Sequence, residues 1–311
     1  MRIFHLYKRA NMSKVPVKSI LTKYLSEKVI CFSVLLFMVC ACRKVIQLDL
    51  PLRDPCLVVN GLFTNDSTSY IVTLSRTTKY DFTYNPTSQD FEGGAVVVVS
   101  DNVGNIDTLK EISTGTYKTD STKIEGIIGR GYKIDIYTQE GQHFKSNFEV
   151  MHAVPKIDSI YFVRDQNDRS TDNSAYYKFM VYVDWHDPAE MSNYYLWNVS
   201  YFWSNQWHNN ILWNWVFNDK YINGNFVKKD LVQSDYGGYN WTFKLSQYSL
   251  SENAYNFWNL VHEQTQLSGD GIANSTQPLF GNVFNADNPN DYALGYFQVS
   301  AKTTATVYIT K

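Results

Sequence analysis

The chain has 311 residues, 28 basic and 30 acidic, and 16% of them are aromatic. That length allows two domains of ordinary size, and the acidic balance excludes the basic face that nucleic acid binding requires. Its four cysteines, Cys31, Cys40, Cys42 and Cys56, offer no disulfide framework and no CxxC metal site.

Residues 1–41 read as a lipoprotein signal peptide. Lys14, Lys18, Lys23 and Lys28 precede an apolar run from Val29 that ends in Val39-Cys40-Ala41-Cys42. A branched apolar residue, two small ones and a cysteine form a lipobox, so Cys42 is the expected lipidation site and first residue of the mature protein. The apolar run is shorter than the roughly 20 residues a spanning helix needs. Two or three acyl chains on Cys42 would anchor the protein to a lipid membrane, where one would hold it only marginally. Seven basic residues and one acid leave with the leader, so the mature part carries 21 basic against 29 acidic residues, net −8. Only Cys56 then remains as a free thiol, beside Leu57-Val58-Val59, where a small buried apolar role fits it.

Residues 42–55 form a tether. Leu57–Gly61 and Tyr70–Leu74 are short β-branched runs on either side of a polar turn, and Gly94–Val99 is a strong strand signal. A short strand is expected in Glu125–Arg130. Tyr132–Tyr137 alternates with period two and turns through Gln139–Gln142 into Phe144–Phe148. About seven short strands without helical periodicity predict an immunoglobulin-like β-sandwich over 56–153. Pro155 marks the boundary to a larger aromatic-rich β domain, sandwich-like, over 154–311. There Phe179, Val181, Val183 and Trp185 share one strand face, and Tyr194–Trp203 and Trp241–Leu245 follow as strands. Leu231–Gly238 reads as a polar loop and Gly281–Asp291 as a turn-rich one. Leu294–Val299 and Thr304–Ile309 read as closing strands. One packed α-helix is predicted near 250–266. Ser249-Leu250-Ser251-Glu252 is its capping box, and Leu250, Ala254, Phe257, Trp258 and Val261 make its apolar stripe.

The chemistry-bearing clusters are sparse. No histidine pair sits at i, i+4, and no GxSxG elbow, GxGxxG or P-loop is present, so no catalytic residue, metal or cofactor is assigned and the expectation is a non-enzyme. Asp184-Trp185-His186-Asp187 is either a group of ligands or a solvated strand end. Asp287–Asp291 and Asp165–Asp172 are either calcium loops or Asx turns. All eight tryptophans lie at 185 or later. Trp203, Trp207, Trp213 and Trp215, with Tyr201 and the amides Asn205, Gln206, Asn209 and Asn210, are the candidate ligand-binding residues. Such rings beside amides either stack on a sugar or peptide ligand or fill a β core.

Taken together, several segments resemble a lipoprotein family of the Bacteroidota, that of domain of unknown function 4249. They are Cys42 with Val45–Pro51, then Leu57–Gly61, Val72–Thr77, Gly94–Val98 and Pro155–Ile160. Asp187-Pro188 ahead of Asn193–Trp197 follows, and then Gly281-Asn282-Val283 with Leu294–Phe297. The resemblance implies an outer-membrane lipoprotein, often encoded beside a TonB-dependent nutrient transporter, and it carries over no catalytic residue. The expected function is that of a non-enzymatic accessory or binding partner of such a transporter. A structural or assembly lipoprotein of the envelope and an uncharacterised hydrolase are the alternatives. Arg43 and Lys44 follow the lipid cysteine, which leaves both the periplasmic and the cell-surface face open.

Overall fold

Residues 55–66, 69–77, 90–165, 176–267 and 278–310 are described by a computed structural model, with backbone alone at 176, 210–213, 235–238 and 266–267. The expected signal peptide, the expected lipidation site Cys42 and nearly all of the expected tether lie outside them, as does most of Asp165–Asp172. The fold is all-β, with 58% of the described residues in strands and 7% in a helix.

The larger sheet begins with β1 (Leu57–Thr64), β2 (Ile71–Arg76), β3 (Asp90–Phe91) and β4 (Val96–Asp101). It continues through β5 (Ile106–Thr108), β6 (Lys110–Ser113), β7 (Thr116–Lys118), β8 (Gly131–Tyr137), β9 (His143–Ser146) and β10 (Glu149–Val150). Alternation places Val97 and Val99 of β4, Ile134 and Ile136 of β8 and Val59 of β1 in one buried cluster. The strand order starts with β5 and ends with β6. These two neighbours flank Leu109, whose amide donates to the Val97 carbonyl at 2.8 Å. One strand thus pairs with β4 through its first half and with β7 through its second. That switch draws the two ends of the sheet together around a single core, in a sandwich or barrel-like form. Glu125–Arg130 forms no strand. Its backbone is engaged by the buried Tyr132 hydroxyl, which donates to the Glu125 carbonyl and accepts from the Ile127 amide, each at 2.7 Å.

Between β10 and β11 (Ile157–Arg164), where the boundary was expected, the chain leaves this sheet. A three-stranded sheet follows in the order β11, β12 (Tyr176–His186), β15 (Phe226–Gly238). Facing it is a four-stranded sheet in the order β14 (Gln206–Asn218), β13 (Tyr194–Trp203), β16 (Thr242–Leu250), β19 (Lys302–Tyr308). The second core lies between them, with Phe179, Val181, Val183 and Trp185 against Tyr195, Trp197 and Phe243. Leu231–Gly238, expected as a loop, is strand, because β12 supplies its hydrogen-bond partners along the whole length. Polar residues are tolerated there because β15 is an edge strand, with one face open to water.

The chain then returns. β17 (Phe280–Asn285) and β18 (Tyr292–Ser300) join the first sheet, and β18 pairs in parallel with β1 from Val58↔Leu294 to Thr64↔Ser300. Half of the segment expected as a turn-rich loop is therefore β17. The remainder, Asp287–Asp291, is a turn closed by its own side chains, with the Asp287 amide on Asn285 Oδ1 at 3.0 Å and Asn285 Nδ2 on Asp291 Oδ2 at 3.2 Å.

The helix, α1, spans Glu252–Leu267. Ala254, Phe257, Trp258 and Val261 form its buried stripe, packed on Leu196, Tyr248 and Leu250 of the four-stranded sheet and on Tyr296 of β18. Burying each large ring or aliphatic group contributes about 1.5–3 kcal/mol. The cap is Ser251, not Ser249, since Ser251 Oγ accepts from the Ala254 amide at 3.1 Å. Ser249 still belongs to β16. Its hydroxyl donates to the His152 carbonyl at 2.7 Å and accepts from the Ala301 amide at 3.0 Å, joining three segments inside the protein. Ser251→Ala should cost about 1 kcal/mol, as lost caps do. Ser249→Ala should cost more, about 1–3 kcal/mol, because it leaves a buried amide and carbonyl without partners. Urea unfolding of the two variants checks the order.

Candidate functional site

The predicted aromatic cluster is divided by strand alternation. β13 and β14 form a hairpin whose two loop residues, Ser204 and Asn205, have φ of 52° and 66°, as a two-residue type I′ turn requires. The register sets Trp203 opposite Gln206, and Phe202 opposite Trp207. Trp203 therefore lies on the face of Tyr201, which stacks on Trp241 at 5.1 Å and extends the second core to its open end. Trp207 lies on the other face, with the Lys244 ammonium 4.2 Å over its ring. Burial first, and then the charge of Lys302, lowers the pKa of that ammonium. Trp215 pairs with Trp197 at the outer edge of the core face. Trp213 is in β14, its side chain outside the described residues. Trp203, Trp207 and Trp215 stay 43%, 45% and 50% exposed, with Trp203 and Trp207 on opposite faces of the hairpin.

Convergence occurs elsewhere, in an open groove of about 680 Å³ between α1 and the strands β10, β17 and β18. Its floor owes its shape to two glycines. β17 crosses so close to β18 that a Cβ on Gly281 would collide with the Gly295 carbonyl, and one on Gly295 with the Val59 carbonyl of β1. The pairing of β17 with β18 is interrupted between Phe280 and Phe284. The Asn282 side chain fills the gap as a substitute strand, donating to the Phe297 carbonyl at 2.9 Å and accepting from its amide at 3.0 Å. Beside it, Glu149 Oε1 accepts from the Tyr296 hydroxyl at 2.9 Å and from Asn282 Nδ2 at 3.4 Å. Burial and the Glu149 carboxylate push the Tyr296 phenol well above its ordinary pKa, so it stays protonated as a donor. Rings of Phe148, Phe280, Phe284 and Tyr292 line the mouth, and the amides of Asn147, Asn253 and Asn256 stand among them. None of these residues was singled out as a binding residue from sequence. The available signal was the pair of glycine-containing segments, Gly281-Asn282 and Gly295-Tyr296, which meet here.

The other acidic clusters hold structure. Asp184 accepts from Ser159 Oγ at 3.0 Å and the Lys229 amide at 2.7 Å, while His186 points outward beside Phe226. Asp187 is buried, holding the Tyr195 hydroxyl and the Gly224 amide. Among the described residues, no group of three or more His, Cys, Asp and Glu is arranged to hold a metal ion. No helix among them is long and apolar enough to cross a membrane.

The family model described as "Domain of unknown function (DUF4249)" matches residues 43–306. A comparison with curated proteins finds no match.

Proposed function

The chain belongs to the DUF4249 family, and from that premise we propose that it is an outer-membrane lipoprotein, anchored through Cys42, that acts without catalysis as an accessory or binding partner of a TonB-dependent nutrient transporter. The lipobox Val39–Cys42 carries this reading. The family match begins at residue 43, directly after the lipid cysteine, and β1 begins a short tether later. Such a tether holds the folded part close to the membrane surface, where a barrel protein sits. The net charge of −8 on the mature part gives no polybasic attraction to lipid, so the acyl chains supply the attachment. A groove walled by rings and amides, with one carboxylate already engaged by two donors, suits capture and release rather than bond cleavage.

Two results are expected. Cells fed labelled palmitate should label the wild-type protein and not a Cys42→Ala variant. A mild-detergent pull-down from outer membranes through a C-terminal tag should bring down one β-barrel transporter at near-equal stoichiometry by mass spectrometry. Recovery of the protein alone, with label on Cys42, would keep the anchor and remove the transporter role.

A further inference from the structure

We propose that the groove between α1 and β10, β17 and β18 is a binding site for a neutral oligosaccharide. Its volume of about 680 Å³ falls in the range of roughly 300–1,000 Å³ typical of small-ligand clefts. This deepens the accessory reading by naming a cargo, yet it stands on the groove's chemistry alone.

Elimination by ligand class leads there. Among the described lining residues Glu149 is the one carboxylate, His152 the one imidazole, and there is no lysine or arginine. The ammonium groups of Lys133 and Lys145 stand over the rings of Phe148 and Phe284 at 5.8 and 5.9 Å without lining the groove, so an anion inside it would meet a carboxylate with no ammonium or guanidinium in the lining. One oxygen of that carboxylate, Oε1, already accepts from both Tyr296 and Asn282, so a cationic ligand would have Oε2 alone as a charged acceptor among the described lining residues. A purely apolar ligand would bury the amides of Asn147, Asn253 and Asn256 against carbon, at a cost of about 1–3 kcal/mol for each polar group left unpaired. An extended peptide docks by adding a strand to a free edge. Here β17 is already flanked by β9 and β18, and β10 is two residues long, so no rail of useful length is free.

What the groove does offer is flat rings and forked amides. Phe280 and Tyr292 stand with centroids 6.0 Å apart, and Phe280 is 51% exposed. Asn253 and Asn256, exposed on α1, each present two donors and one acceptor. A pyranose has the matching surfaces, an apolar face of C–H groups for the ring and vicinal hydroxyls for the amide. Ring and amide contacts of this kind leave the ligand exchangeable, as a cargo must be.

The test is an array of neutral glucans, mannans, xylans and galactans, probed with the full-length lipidated protein in mild detergent and followed by calorimetry on the retained glycans. Binding should appear, and Asn256→Ala and Phe280→Ala should each weaken it at least tenfold with the melting temperature nearly unchanged, since both side chains are exposed. Absence of any neutral glycan, retention of charged glycans or peptides alone, or loss on Trp207→Ala rather than on the groove variants would overturn the assignment. These outcomes are separate from the transporter pull-down, which succeeds or fails whatever the groove holds.

Discussion

Gly295→Ala should cost at least about 3 kcal/mol, a large share of the roughly 5–15 kcal/mol that holds a folded domain together. Two effects combine at this position. Gly295 has φ of 78°, a conformation whose cost to a residue with a side chain is about 1–3 kcal/mol. The added Cβ would also be driven into the Val59 carbonyl. A flexible side chain could move aside, but Val59 is held by its own ladder to β2 and by the parallel register Val59↔Gly295. Relief then requires β1 and β18 to separate, which opens the first core beside Phe297 and Val299. The groove should be lost as well, because the next residue, Tyr296, donates to Glu149. Gly104 is the control. Its φ is 100°, but nothing lies within 4 Å of an added Cβ, so Gly104→Ala should show local strain alone. Urea unfolding followed by tryptophan fluorescence checks both. A Gly295→Ala midpoint no lower than that of Gly104→Ala would refute the steric argument.

The contrast between these two glycines bears on what a sequence reveals. Period-two alternation made the cores legible, and Phe179, Val181, Val183 and Trp185 lie on one buried face as their spacing required. The three- and four-residue spacing of Ala254, Phe257 and Val261 located the helix. Its cap shifted by two residues because Ser249 and Ser251 have the same local chemistry, and a distant group, the Ala301 amide, claims the first. β15 and β17 were missed for a related reason. Their side chains are polar enough for loops, and only their partners make them strands. Trp203 and Trp207 show the limit of adjacency, since they are close in sequence but a two-residue turn sends them to opposite faces. The groove was hidden by distance, with Glu149 separated from Tyr296 by 147 positions and from Asn282 by 133. No window of sequence holds those residues together. The close approach of three strands at two glycines does.

Asp187 should make stability fall with rising pH. Its carboxyl is wholly buried, accepting from the Tyr195 hydroxyl at 2.6 Å and the Gly224 amide at 3.1 Å. Burial raises its pKa, these two hydrogen bonds oppose the rise, and the charge of nearby Asp219 adds to it. The folded value thus lies above the unfolded one, near the ordinary carboxylate figure of about 3.9. Between the two values the folded state binds the extra proton. Stability from this group is therefore full below the unfolded pKa and is lost as pH rises through the folded one. Asp187→Asn cannot ionise, so its stability curve should lack that decline. Asp187→Ala should be the harsher change, at about 2–5 kcal/mol, since it strands the Tyr195 hydroxyl and the Gly224 amide at about 1–3 kcal/mol each. Urea midpoints measured across the acid-to-neutral range separate the variants, and an unchanged slope in Asp187→Asn would mean another group sets it. The same pair of variants bears on function. A buried carboxyl with a raised pKa is a common mark of an active site, yet this one is enclosed by Tyr195 and the Gly224 turn and does not line the groove. Glycan binding should therefore survive Asp187→Asn, since the substitution touches no residue that lines the groove.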